Sequence, residues 1–156
     1  MYETRRATEE ELPIILDYWY RMAIEMARID GIPEPDLERL EEVKTLFLKE
    51  TERESLTFRV ALNHNDQIVA CAGGLLRYEY LYPLAADQSL FGWVISVYTI
   101  EEHRHNGLAA TLVDEICIWL KEKGAKRARL WSSSTGRNVY ENLGFTRMLD
   151  MSKPLV

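Results

Sequence analysis

The sequence predicts one mixed α/β domain, with an antiparallel front half and a strand–helix–strand back half. Three observations carry this. Apolar spacing switches between the helical and the strand period along the whole chain, with no repeat, linker or low-complexity stretch between. The 156 residues suit a single domain, residues 1–156, with a sizeable core. Apolar residues make up 47% and charged residues 28%, an ordinary globular mix.

The elements come in this order. "YETRRA" reads as a short first strand, and "TEEE" from Thr8 as a capping box opening a helix. That helix runs through "LPIILDYWYRMAIEMARI", with Leu12, Ile15, Tyr18 or Trp19, Met22 and Met26 at helical spacing, and "DGIPEP" ends it. "LERLEEVKTLFLKE" is a second amphipathic helix carrying Leu37, Leu40, Val43, Leu46 and Phe47. Then the period becomes two: "LTFRVAL" and "QIVACAGGLL" flank the polar turn "NHND" as a hairpin. "RYEYLYPLAADQ" reads as an aromatic loop, and "SLFGWVISVYTI" as a central strand. A third long helix should bury Leu108, Leu112, Val113, Ile116, Trp119 and Leu120 and stop at Gly124. "RARLWSS" is read as a strand, "TGRNVYENLG" as a short helix closed by Gly144, and "FTRMLDMSKPLV" as a terminal strand pair.

Bulk properties exclude some functions. Asp plus Glu number 25 against 19 Lys plus Arg, a formal charge of −6, so a nucleic-acid partner is not expected. No signal core or membrane-length apolar run occurs, so a soluble chain with no membrane partner is expected. The two cysteines, Cys71 and Cys117, lie among apolar residues, which fits a reducing cytoplasm better than a disulfide framework.

The chemistry concentrates in "EEHRHNGLAATL", between the central strand and the third helix. A helix start offers N–H groups without internal partners and a positive dipole end, which suits an anion. Gly107 removes the Cβ that would block a phosphate, Ala109 keeps the next turn thin, and Arg104 supplies charge at the rim. A Walker loop would need Lys-Ser or Lys-Thr after its glycine, and a dinucleotide fingerprint would need three glycines; this loop has neither.

"SVYTIEEHRHNGLAATLV" resembles the acetyl-CoA motif of the GNAT superfamily of N-acetyltransferases. The family runs a strand into Arg or Gln, two variable residues, Gly, a variable residue, then Gly or Ala. Arg104-His105-Asn106-Gly107-Leu108-Ala109 matches that pattern. The resemblance implies that amides from His105 to Ala110 cradle the CoA pyrophosphate. It also implies that the backbone of Val97, Tyr98 and Thr99 pairs with the pantetheine arm. In "GRNVYENLGF", Tyr140 stands four residues before Gly144-Phe145, where family members place a tyrosine that can protonate the departing thiolate. Two positions depart from the pattern. Glu101 replaces the usual Pro, and Ser133 replaces an Asn that steadies the pantetheine.

By this resemblance the chain has the GNAT acyl-CoA N-acyltransferase fold, a central, mostly antiparallel sheet flanked by helices. It would transfer acetyl from acetyl-CoA, as co-substrate and without a metal, to a primary amine on a small molecule or a protein. Family members are often dimers, so a homodimer is an assembly the resemblance allows. Tyr140 is either the acid or a packing aromatic. Glu25, Glu79 and Asp87 are candidates for base or substrate anchor, beside a water relay, with Glu25 and Glu79 taken forward as substrate-binding. Tyr78, Tyr80 and Tyr82 either line an acceptor pocket or alternate on a strand face. His103 and His105 lack a third ligand and read as rim residues. A non-catalytic acyl-CoA-binding module shares the socket but does not need Tyr140.

Overall fold

The computed structural model describes residues 1–80 and 86–156. Among these, one sheet carries five strands in chain order: β1 (Glu3–Arg6), β2 (Leu56–Leu62), β3 (Ile68–Tyr80), β4 (Gln88–Thr99) and β5 (Ala128–Arg129). The first four are antiparallel neighbours, while β4 and β5 run parallel. Helices α1 (Leu12–Asp30) and α2 (Leu37–Glu52) fall between β1 and β2. Helix α3 (Leu108–Glu122) crosses over from β4 to β5, and α4 (Arg137–Asn142) comes after β5. No helix among the described residues is long and apolar enough to cross a membrane.

Local chemistry accounts for the element ends. The Thr8 N–H donates to Glu11 Oε1 at 2.7 Å, and the box opens a single tight turn, Glu9–Glu11, that runs straight into α1. Arg5 clamps the same carboxylate with two donors, at 2.8 and 2.7 Å, which ties β1 to the helix start. Asp36 caps α2 by accepting from the Arg39 N–H at 2.8 Å.

The sheet is covered on both faces, so β2 is buried along nearly its whole length rather than alternating, with only Arg59 half-buried. On one face, Ile15 and Tyr18 of α1 and Phe47 of α2 pack over Phe58 and Val60. On the other, Leu112, Val113, Ile116 and Leu120 of α3 pack over Ala61, Ala70, Ala72 and Val94. Helix and sheet approach so closely that a Cβ on Gly92 would stand 2.5 Å from the Leu120 side chain.

Four expectations are corrected. Arg77–Tyr80 belong to β3 instead of a loop; their alternation of exposed Tyr78 and Tyr80 with half-buried Arg77 and Glu79 is that of a strand. Leu37 opens α2 but is exposed; the helix meets the core from its second turn on, through Leu40, Val43 and Phe47. The strand expected over "RARLWSS" shrinks to two residues, since it pairs with β4 only at Gly92–Ala128 and Trp93–Arg129. The terminal strand pair does not form: residues 146–156 are exposed and without regular structure. Phe145 is the last side chain to pack, on Tyr140, and β5 is too short to offer the chain end a ladder.

Two irregularities in β4 prepare the site. Ala72 faces both Ser96 and Val97, a bulge in which Ser96 takes a φ of +53°. Among the described residues, the β4 backbone beyond Trp93 has no strand partner on its β5 side, so the two parallel strands diverge into an open cleft.

Candidate functional site

The cleft and the head of α3 share one cavity of about 1050 Å³. After Thr99 the chain makes one tight turn, Glu101–His103, and curls back through Arg104–Gly107 into α3. His105 and Gly107 both take left-handed conformations, with φ of +65° and +74°. Among the described residues, no acceptor takes the N–H groups from His105 to Ala110. Consecutive free donors at a helix N-terminus form a ready anion cradle. A Cβ on Gly107 would meet no protein atom within 4 Å, so only conformation and the open space beside it call for glycine there.

His105, Gly107, Leu108, Ala109 and Ala110 line the cavity, as do Val97, Tyr98 and Thr99 along β4. Asn106 does not; its side chain donates to the carbonyls of His103, at 3.0 Å, and Arg104, at 3.2 Å, and so holds the loop's shape. Arg104 lines the cavity, but its guanidinium is already engaged. Nε donates to the Thr99 carbonyl at 2.8 Å, and Nη2 meets both oxygens of Glu25 at 2.8 and 3.1 Å. The Tyr98 hydroxyl donates to the same carboxylate at 3.0 Å, and burial with the Glu25 contact pushes its phenol up to about 12. Glu25 thus ties α1 to β4 and to the loop. His103 also lines the cavity, with its Nδ1 2.9 Å from the Tyr2 hydroxyl.

Tyr140 and Ser133 line the opposite wall. The Tyr140 ring stands edge-on to Phe145 at 6.0 Å, and burial raises its phenol pKa above the ordinary value. No group among the described residues hydrogen-bonds its hydroxyl, which is therefore available to a ligand. Ser133 Oγ accepts from the Gly136 N–H at 3.2 Å, fixing the entry to α4.

The other candidates sort clearly. Glu79 lines the cavity, but it accepts from Trp93 Nε1 at 2.8 Å and pairs with Arg129 at 2.5 Å. Asp87 is exposed and outside the lining. Tyr78 and Tyr80 sit exposed on β3, also outside it, and Tyr82 falls outside the described residues. Cys71 is buried with its thiol pushed up to about 12, and burial raises Cys117 as well; neither lines the cavity. Sequence reasoning missed Asp30, Trp93 and Trp131 as lining residues, and it read Trp19, Met22 and Met26 as core. The helical spacing of the last three marks the face they share, while only the tertiary arrangement leaves that face open.

The acetyltransferase (GNAT) family model matches residues 17–145. The chain belongs to that family. As a GNAT chain it is an acyltransferase, and its mixed five-stranded sheet flanked by helices is the fold that the motif in "EEHRHNGLAATL" implied. A predicted acetyltransferase with acetyl-CoA from Clostridium acetobutylicum is similar over 99% of this chain and 96% of that one, at 23% identity and a TM-score of 0.82. A GCN5-related N-acetyltransferase from Ralstonia eutropha is similar over 99% of each chain, at 19% identity and a TM-score of 0.81. Glucosamine-6-phosphate N-acetyltransferase from Arabidopsis thaliana shares the fold at 14% identity, a TM-score of 0.63, and 100% and 99% coverage. No curated protein matches the sequence.

Proposed function

We propose that this GNAT chain transfers acetyl from acetyl-CoA to a primary amine by direct attack within a ternary complex. The observation that carries the reading is the run of unpaired amides from His105 to Ala110, in one cavity with the unpaired edge of β4. The amides and the α3 dipole suit a pyrophosphate, and the β4 edge from Val97 to Thr99 suits an extended amide-bearing arm laid beside it. The Clostridium structure, solved with acetyl-CoA, supports that co-substrate for the shared fold.

The amine nitrogen forms a bond to the acetyl carbon while a β4 N–H polarises the thioester oxygen. The amine proton passes to water, relayed toward Glu25 or Glu79, whose own oxygens are held by Arg104 and Arg129. The carbon–sulfur bond then breaks, and the Tyr140 hydroxyl gives its proton to the thiolate. Its raised pKa keeps that proton in place until then. An acyl-cysteine route is disfavoured, since both thiols are held protonated away from the cavity. Cys71 and Cys117 form no disulfide with each other, which fits a cytoplasmic setting.

The test pairs calorimetric titration with CoA and a thiol-release assay over a panel of amines. CoA binding with turnover of at least one amine is expected. CoA binding without any turnover would leave a non-catalytic acyl-CoA-binding module, and no CoA binding would remove the site.

A further inference from the structure

Resting on the N-acetyltransferase reading, we infer that the acceptor is a monoamine carried on an apolar aromatic or alkyl body. The acceptor half of the cavity lies across β4 from the α3 loop, between α1, α2 and the outer ends of β3 and β4. Its wall includes Trp19, Met22, Met26 and Ile29 of α1, with Leu46 of α2 and Trp93 of β4. Methionines fill irregular space and adapt to a ligand, and the indoles offer flat faces to an alkyl or aryl group.

Charge pairing narrows the class further. Arg77, the cation in this half, is bound to Glu50 at 3.0 Å, and Arg104, at the border with the loop, is bound to Glu25. No unpaired arginine or lysine among the described residues therefore faces a phosphate or carboxylate on the acceptor. Glu79 is likewise neutralised by Arg129. Asp30 lines the cavity with one long contact, 3.4 Å from the Ser134 N–H, and forms no salt bridge among the described residues. One free carboxylate can guide one ammonium group, whereas a polyamine or an aminoglycoside needs several. The site thus differs in chemistry from one built for an aminosugar phosphate.

The test compares kcat/KM for phenethylamine and hexylamine with spermidine, glucosamine 6-phosphate and a tripeptide, using the whole chain and acetyl-CoA. The apolar monoamines should lead by at least about tenfold, the discrimination that apolar pocket contacts support. Ile29→Lys, at an exposed lining position, should raise the KM for phenethylamine about tenfold or more while leaving the acetyl-CoA Kd within about twofold. Met26→Lys should act in the same direction. Turnover led by spermidine, the phosphorylated sugar or the tripeptide would overturn this inference alone. An unchanged phenethylamine KM in both folded variants would do so as well. No turnover of any amine, with acetyl-CoA still bound, would overturn both this inference and the N-acetyltransferase reading.

Discussion

Replacing Gly107 by valine separates what the loop's conformation costs from what its ligand gains. Gly107 has a φ of +74°, and a Cβ at this position would have no protein atom within 4 Å, so the substitution introduces torsional strain without a clash. A left-handed L-residue costs about 1–2 kcal/mol, and more for a β-branched one. At this chain length that lowers Tm by roughly 2–8 °C. Gly124 supplies the control: its φ is +92°, its Cβ position is equally empty, and it lies outside the cavity. Both variants should therefore lose similar stability. Only Gly107→Val should lose CoA, because relaxing its torsion turns the neighbouring amides away from their common focus. Losing two hydrogen bonds to a charged group, at about 1.5–3 kcal/mol each, weakens binding at least about a hundredfold. Calorimetry on both folded variants, with circular dichroism for Tm, measures the two effects. Equal CoA affinity in Gly107→Val and Gly124→Val would refute the argument.

Three further outcomes are expected. Tyr140→Phe should lower kcat about ten- to a thousandfold with the CoA Kd within about twofold, since only a proton is removed and the ring still packs on Phe145; stopped-flow thiol release and calorimetry on one preparation check both. Arg5 holds the Glu11 carboxyl down to about 2 from an ordinary 4.5, so its stabilisation is complete above the ordinary value and lost as pH falls through the folded one. The Tm deficit of Glu11→Gln should therefore be constant above about pH 5 and fade between pH 4.5 and 2, as thermal melts across that range would show. Cys71, fully packed and with its thiol pushed up to about 12, should resist iodoacetamide in the folded protein, and mass spectrometry of the treated chain reads this directly.

The parts of the molecule that depend on neighbours in sequence were legible. Helical spacing from Leu12 and from Leu108, the Thr8 box and the "NHND" turn each encode a local geometry, and each element formed where its pattern stands. The loop from Arg104 to Ala110 was legible for the same reason, since a strand, a glycine and a helix start are contiguous. What escaped depends on distant partners. Nothing near Arg104 announces Glu25, 79 positions earlier in the chain, nor does anything near Arg129 announce Glu79. The alternation in "RYEY" looked like a loop because tyrosines rather than aliphatics carry it, and the exposed side of a strand tolerates them. "RARLWSS" has strand composition, yet β4 diverges before most of it can pair, so composition overstated its length.

The divergence of β4 from β5 has a consequence for how this cleft withstands substitution. Its walls present main-chain donors and acceptors, which every amino acid but proline supplies in full. Most side-chain exchanges along Val97–Thr99 leave those groups in place, so sequence drift erodes such a cleft slowly. Proline is the exception, because at Val97 it would delete a donor without emptying any pocket. The walls proposed for the acceptor enjoy no such immunity, because their apolar character comes from side chains such as Met22, Met26 and Trp19. Relatives at 14–23% identity can therefore keep one fold while their acceptor chemistry diverges.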